Sequence, residues 1–130
     1  LASDNLSLKS LSEADIQHLI IAWLQTKRFF VWRQNTVGVY DAAKGRYRAS
    51  NSKKGVCDIL GVLPDGRFLA IEVKSAKGKT SQDQDAFIAQ VNKSGGLAFV
   101  ARSLDDVKAH LEDYTHGRRD SEGRVPQSSP

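Results

Sequence analysis

Apolar residues recur along the chain at two different periods. Ile16, Leu19, Ile20, Trp23 and Leu24 fall at helical spacing, which predicts a helix over 11–27, with Ser10-x-x-Glu13 in capping-box form at its start. Residues 29–33 are aromatic and β-branched and read as a strand. A long connection follows over 34–55, with a short extended piece near 37–40. Two further runs rich in Val, Ile, Leu and Phe, 56–63 and 68–74, flank Pro64-Asp65-Gly66 and predict a hairpin. A second helix is predicted over 82–94, opened by Ser81-x-x-Gln84 and closed at Gly95-Gly96. Residues 97–101 read as a strand paired parallel to the hairpin, and 104–114 as a last helix capped by Ser103. The lead (1–10) carries no predicted element, and 115–130 have the composition of a disordered tail. Strands interleaved with helices argue an α/β fold, a mixed sheet flanked by helices.

The hairpin fixes which side chains meet. A three-residue loop puts Gly66 at positive φ and Leu63 opposite Arg67. Counting back then sets Asp58 opposite Glu72, on one face and roughly 5 Å apart. Lys74 joins that face, while Leu69, Ile71 and Val73 point into a core. A four-residue loop would shift the register by one and separate the acids. Opposed carboxylates repel, and a divalent cation between them would relieve the repulsion. All-oxygen ligands, with no His or Cys cluster nearby, suit Mg²⁺ or Mn²⁺. The plainer alternative is a Glu72–Lys74 ion pair beside a solvated Asp58.

Composition narrows the setting. The 130 residues suit one domain, and no apolar run is long enough to span a membrane. No segment resembles a secretory signal, and the single cysteine, Cys57, cannot form an internal disulfide, so a reducing, cytoplasmic setting is expected. Cys57 is read as a small buried hydrophobe. The net charge of +4 is a mild bias, but its placement is informative. Lys44, Arg46, Arg48, Lys53 and Lys54 precede Asp58 with no acid among them, and Lys77 and Lys79 follow Lys74. With Tyr40 and Tyr47 interleaved, this suits a loop that tracks phosphates and stacks on bases. A solvated basic loop is the alternative.

Asp58…Glu72-x-Lys74 and the element order resemble the PD-(D/E)XK nucleases. Gly55-x-x-Asp58-Ile59-Leu60-Gly61, Ile71-Glu72-Val73-Lys74, Ser81-x-x-Gln84-x-x-Phe87 and Gly95-Gly96-x-Ala98 resemble the VRR-NUC branch more narrowly. That branch includes the nuclease domain of the Fanconi-associated nuclease and small standalone phage or bacterial proteins, so the resemblance implies a prokaryotic or phage-encoded protein. The resemblance spans roughly 11–112 and implies a restriction-endonuclease-like αβββαβ core. It also implies Mg²⁺- or Mn²⁺-dependent hydrolysis of DNA phosphodiesters, with no small-molecule cofactor. For standalone members it implies resolution of four-way junctions. A two-fold symmetric junction is more easily recognised by a homodimer. Trp23, Phe29 and Trp32 are candidate interface residues for it, or else core, the commoner fate of aromatics in a small domain. Asp58, Glu72 and the Val73 carbonyl would hold the ion, and Lys74 would position or deprotonate the attacking water. Glu13 would complete the metal environment, or else serve only its capping box. Gln84 would face the site or cap its helix, roles taken to be exclusive. Arg33 and Asn35 would contact phosphate. Cys57 stands where the family often has Pro. A flap, end or duplex nuclease, and a non-catalytic DNA-binding module, are the alternative readings.

Overall fold

The computed structural model describes residues 11–34, 39–48 and 53–115, the strand side chains at 39–41 and 46–48 excepted. The expectations for 1–10, for Asn35 and for 116–130 lie outside the described residues. Helix α1 spans Glu13–Thr26 and is followed by β1, Phe30–Arg33. Strands β2 (Val39–Asp41) and β3 (Arg46–Arg48) form a separate two-stranded sheet. Strands β4 (Ile59–Val62) and β5 (Phe68–Val73) lead to helix α2 (Gln82–Lys93) and β6 (Leu97–Ala101). Helices α3 (Leu104–His110) and α4 (Glu112–Thr115) end the described chain.

The main sheet runs β1-β4-β5-β6. Its first three strands are antiparallel and β6 is parallel to β5. The β4–β5 register follows the three-residue loop. Ile59 pairs with Ile71 and Val62 with Phe68, and Leu63 N–H donates to the Arg67 carbonyl at 2.8 Å. Gly66 takes φ +90°, as the loop requires.

Each face of the sheet has its own core. On one side, Ile16, Ile20 and Leu24 of α1 pack on Val31, Ile59, Leu69, Ile71 and Val73. Val107 and Leu111 from the C-terminal end of the chain close the same cluster. On the other side, Leu60, Ala70 and Ala98 meet Phe87, Ile88 and Val91 of α2. Cys57 is fully buried there, in the smaller core on the α2 side. Burial, then the nearby Glu72 and Asp58, push its thiol up to about 12, so it behaves as a hydrophobe.

Several boundaries differ from expectation for identifiable reasons. The chain offers two overlapping Ser-x-x-acid frames, and the later one closes. The Ser12 hydroxyl accepts from Asp15 N–H at 3.1 Å, and Asp15 accepts from Ser12 N–H at 3.2 Å. Glu13 is thereby released from the cap. Residues 56–58 do not extend β4, because Gly55, at φ +76°, turns the chain against α2. The expected basic loop contains a strand pair, with Tyr40 opposite Tyr47, so Arg46 and Arg48 lie on β3 rather than in a loop. The last helix breaks at Leu111, which is fully buried.

Candidate active site

At the open end of the β4–β5 hairpin the ladder sets Asp58 opposite Glu72, one pair beyond Ile59 and Ile71. Leu60 and Ala70 share their face, so the carboxylates lie on the α2 side of the sheet. Asp58 sits where β1 ends, its carbonyl accepting from Gln34 N–H at 2.7 Å. Its Oδ2 accepts from the Val73 N–H at 2.8 Å, which fixes the carboxyl against β5.

Glu72 is 2% exposed, and its two oxygens differ. Oε2 accepts from Gln84 Nε2 at 3.0 Å and lies 3.8 Å from Lys74 Nζ. Oε1 is buried with no hydrogen-bond partner. Burial drives its pKa from 4.5 up to about 8, and Asp58 adds to the rise by charge and hydrogen bonding. Lys74 opposes the rise, and Glu13 reinforces it from α1. Glu13 also lies beside the segment after Lys74, since a Cβ on Gly78 would come within 3.2 Å of its Oε1.

Gln84 resolves an expected conflict. Its Oε1 accepts from Ser81 N–H at 2.8 Å, closing the capping box, while its Nε2 holds Glu72. An amide presents acceptor and donor at opposite corners, so one pose serves both roles, contrary to the expectation that they exclude each other.

The remaining candidates are spread more widely. Lys53, Lys54, Lys77 and Lys79 are exposed on the segments before Asp58 and after Lys74. Lys44 is exposed in the β2–β3 turn. Arg33, also exposed, pairs with Ile59 and so belongs to the α1 side of the sheet, away from the carboxylate face. Of the proposed interface aromatics, Phe29 is buried and Trp23 packs against the main core, which leaves Trp32 exposed.

Two residues carried little or no sequence signal. Arg102 Nη1 donates to the carbonyls of Ser75 at 2.7 Å and Gly78 at 2.6 Å, clamping the segment that carries Lys77. Nothing in an arginine one residue past a strand announces that reach. Gln17, one turn on from Glu13, is 8% exposed and its Oε1 has no partner. A polar residue on the apolar stripe of α1 was its only trace.

The donors suit a hard cation. Glu72 offers an unpartnered buried oxygen, and Asp58 a carboxyl already aimed by the backbone. Among the described residues no three His, Cys, Asp or Glu side chains group tightly enough to hold an ion by themselves. A cation here would therefore also draw on main-chain oxygen and water. Surface depressions of about 370 Å³ and 320 Å³ lie elsewhere, lined by neither carboxylate.

The α/β fold carries opposed carboxylates and a lysine at the end of its central hairpin, and its family match makes it a nuclease-type, DNA-processing domain. The sequence matches the VRR-NUC domain over residues 11–105, and the chain belongs to that family. A solved chain described as a VRR_NUC domain protein superposes with a TM-score of 0.61 at 22% identity, covering 93% of this chain and 100% of that one. None of the curated proteins matches. No helix among the described residues is long and apolar enough to cross a membrane.

Proposed function

We propose that this protein is a Mg²⁺- or Mn²⁺-dependent, structure-selective DNA endonuclease acting at branch points. The observation that carries the reading is Glu72: a buried carboxylate opposite Asp58, with Oε1 left without a donor. A buried carboxylate oxygen without a partner is costly, and a cation would remove that cost. Asp58, Glu72 and the Val73 carbonyl would hold the ion, with Glu13 reaching the same environment from α1. When bound, the ion would polarise the scissile phosphate and stabilise its developing charge.

The chain's own groups do the rest. Lys74, close to Glu72 and largely buried, positions the attacking water and takes part in its deprotonation. Gln84 holds Glu72 in place and is itself locked by the helix cap. Lys53, Lys54, Lys77 and Lys79 supply phosphate contacts on either side of the pair, and the basic residues Lys44, Arg46 and Arg48 earlier in the chain are further phosphate-contact candidates. Symmetric cutting of a four-way junction calls for two such sites and hence a homodimer, whereas flap cutting needs one copy.

The test is cleavage of a labelled four-way junction, a 5′ flap and matched linear duplex with Mg²⁺ or Mn²⁺, beside Glu72→Ala. Metal-dependent cutting that vanishes in the variant supports the nuclease, and the substrate cut decides between junction and flap. Binding without turnover on any substrate would replace it with a non-catalytic DNA-binding module.

A further inference from the structure

On the carboxylate face of the sheet, the described residues leave side chains of β1 exposed. Helix α2 packs on β5 and β6 and reaches Leu60 of β4, and among the described residues no helix packs over Phe30 and Trp32 of β1 on this face. Phe30 is 68% exposed and Trp32 38% exposed. Their rings meet at 5.5 Å with a 53° tilt, so neither hides the other's face. The Trp32 indole is fixed by its Nε1–H, which donates to Gln34 Oε1 at 3.3 Å.

The strand register places these rings relative to the acids. Trp32, Leu60 and Ala70 form one row across the sheet, and Phe30, Val62 and Phe68 the next. The row on the other side of Trp32 is that of Asp58 and Glu72. Rows on one face are two residues apart along a strand, about 7 Å. Trp32 is therefore the diagonal neighbour of Asp58, and the aromatic strip leads away from the acid pair. Phe68, half-exposed at the far side of the strip, borders a depression that Lys53 and Arg67 also line.

We propose that Trp32 and Phe30 form a stacking platform for unpaired bases of the DNA strand entering the active site. This rests on the DNA-cleaving reading and narrows its substrate to DNA with unpaired nucleotides beside the scissile phosphate. Exposed aromatic faces bordered by cations are what single strands bind: rings take the bases and cations take the phosphates. The patch is continuous with the catalytic row, so a strand whose phosphate lies at Asp58 passes its neighbouring base over Trp32. A second copy of the chain fits less well. Two aromatic side chains bury a few hundred Å² at most, short of the roughly 800 Å² per partner of a stable interface.

The experiment measures binding of a fluorescent oligothymidylate and of a blunt duplex, without metal and at fixed salt, to wild type, Trp32→Ala, Trp32→Phe and Phe30→Ala. Trp32→Ala is expected to weaken oligothymidylate binding about tenfold, Phe30→Ala less, with duplex binding within about twofold of wild type. Trp32→Phe keeps a ring and recovers most of the loss. Phe30, mostly in solvent, tolerates truncation, so its variant carries the test if Trp32→Ala does not fold. Unchanged oligothymidylate binding, or equal loss on both ligands, overturns the platform. Sedimentation showing a dimer that the variants dissociate, with oligothymidylate binding intact, reassigns the patch to a copy–copy contact and overturns it too. Metal-dependent cleavage by wild type is scored separately. Its absence with ring-dependent binding preserved removes the nuclease reading and leaves the platform. Its presence with ring-indifferent binding does the reverse.

Discussion

Glu72 is where burial and charge are in sharpest opposition. Its pKa of about 8 lies above the ordinary 4.5, so between those values the folded protein holds a proton that the unfolded chain releases. That contribution to stability is complete below about pH 4.5 and is lost as pH rises through about 8. Metal-free protein should therefore lose melting temperature between pH 5.5 and 8.5, and Glu72→Gln should flatten that loss. Thermal melts in chelator across this range check it, and a wild-type profile as flat as the variant's would sink it. The same shift governs cation binding, because a ligand must lose its proton first. At subsaturating Mg²⁺ the apparent affinity should improve up to about tenfold per pH unit below the Glu72 pKa. Calorimetric titration at several pH values would show it.

Gln84 extends the residue-scale argument, since its two ends can be separated by substitution. Gln84→Ala loses the cap acceptor and the Glu72 bond and should cost about 1–3 kcal/mol in urea denaturation. Gln84→Glu keeps the cap acceptor but sets a like charge against Glu72, so stability should largely return while the cleavage pH profile moves upward. A profile left in place would mean that Gln84 is a cap alone. The opposed acids were legible in the sequence because one turn, Pro64-Asp65-Gly66, counts directly into a register. The double duty of Gln84 was not, because helix spacing says where a residue sits and not which way each end of its amide points.

Among the described glycines, Gly55, in the segment before β4, lies tightest against a neighbouring element, the start of α2. Gly55 takes φ +76°, and a Cβ there would meet the Asp83 carbonyl and press on Gln84 N–H at 2.7 Å. Gly55→Ala should thus destabilise by about 2–4 kcal/mol, from the strained backbone and the overlap together. Urea melts measure it. A loss below about 1 kcal/mol would show that the two elements separate cheaply. Most elements follow from periodicity, since α1, α2 and the hairpin each bury one clear apolar face. The β2–β3 pair was hidden because its strands are three residues each and mix charge with Tyr rather than alternating apolar and polar. The turn between them, Ala42-Ala43-Lys44-Gly45 with Gly45 at φ +62°, was the available signal.

At the scale of the molecule, a net charge of +4 is too small to dominate DNA binding, so the arrangement of charge has to do so. Exposed Lys53 and Lys54 precede the acid pair and exposed Lys77 and Lys79 follow it, with Arg102 holding the second segment by its backbone. Oligomeric state was not legible by comparison. Of the three aromatics open to an interface or a core reading, two belong to the core, and no apolar periodicity distinguishes a face kept for a partner from one kept for DNA. If the lysines contact phosphate, each should release about one counterion. Lys53→Ala and Lys77→Ala should then each reduce the slope of log K against log salt by about 1, weakening all DNA forms alike. Arg102→Ala should act differently. It frees the clamped segment without removing a phosphate ligand, so binding weakens a few-fold while the salt slope stays close to wild type. A slope that fell by a full unit would place Arg102 on the DNA and remove its role as a clamp.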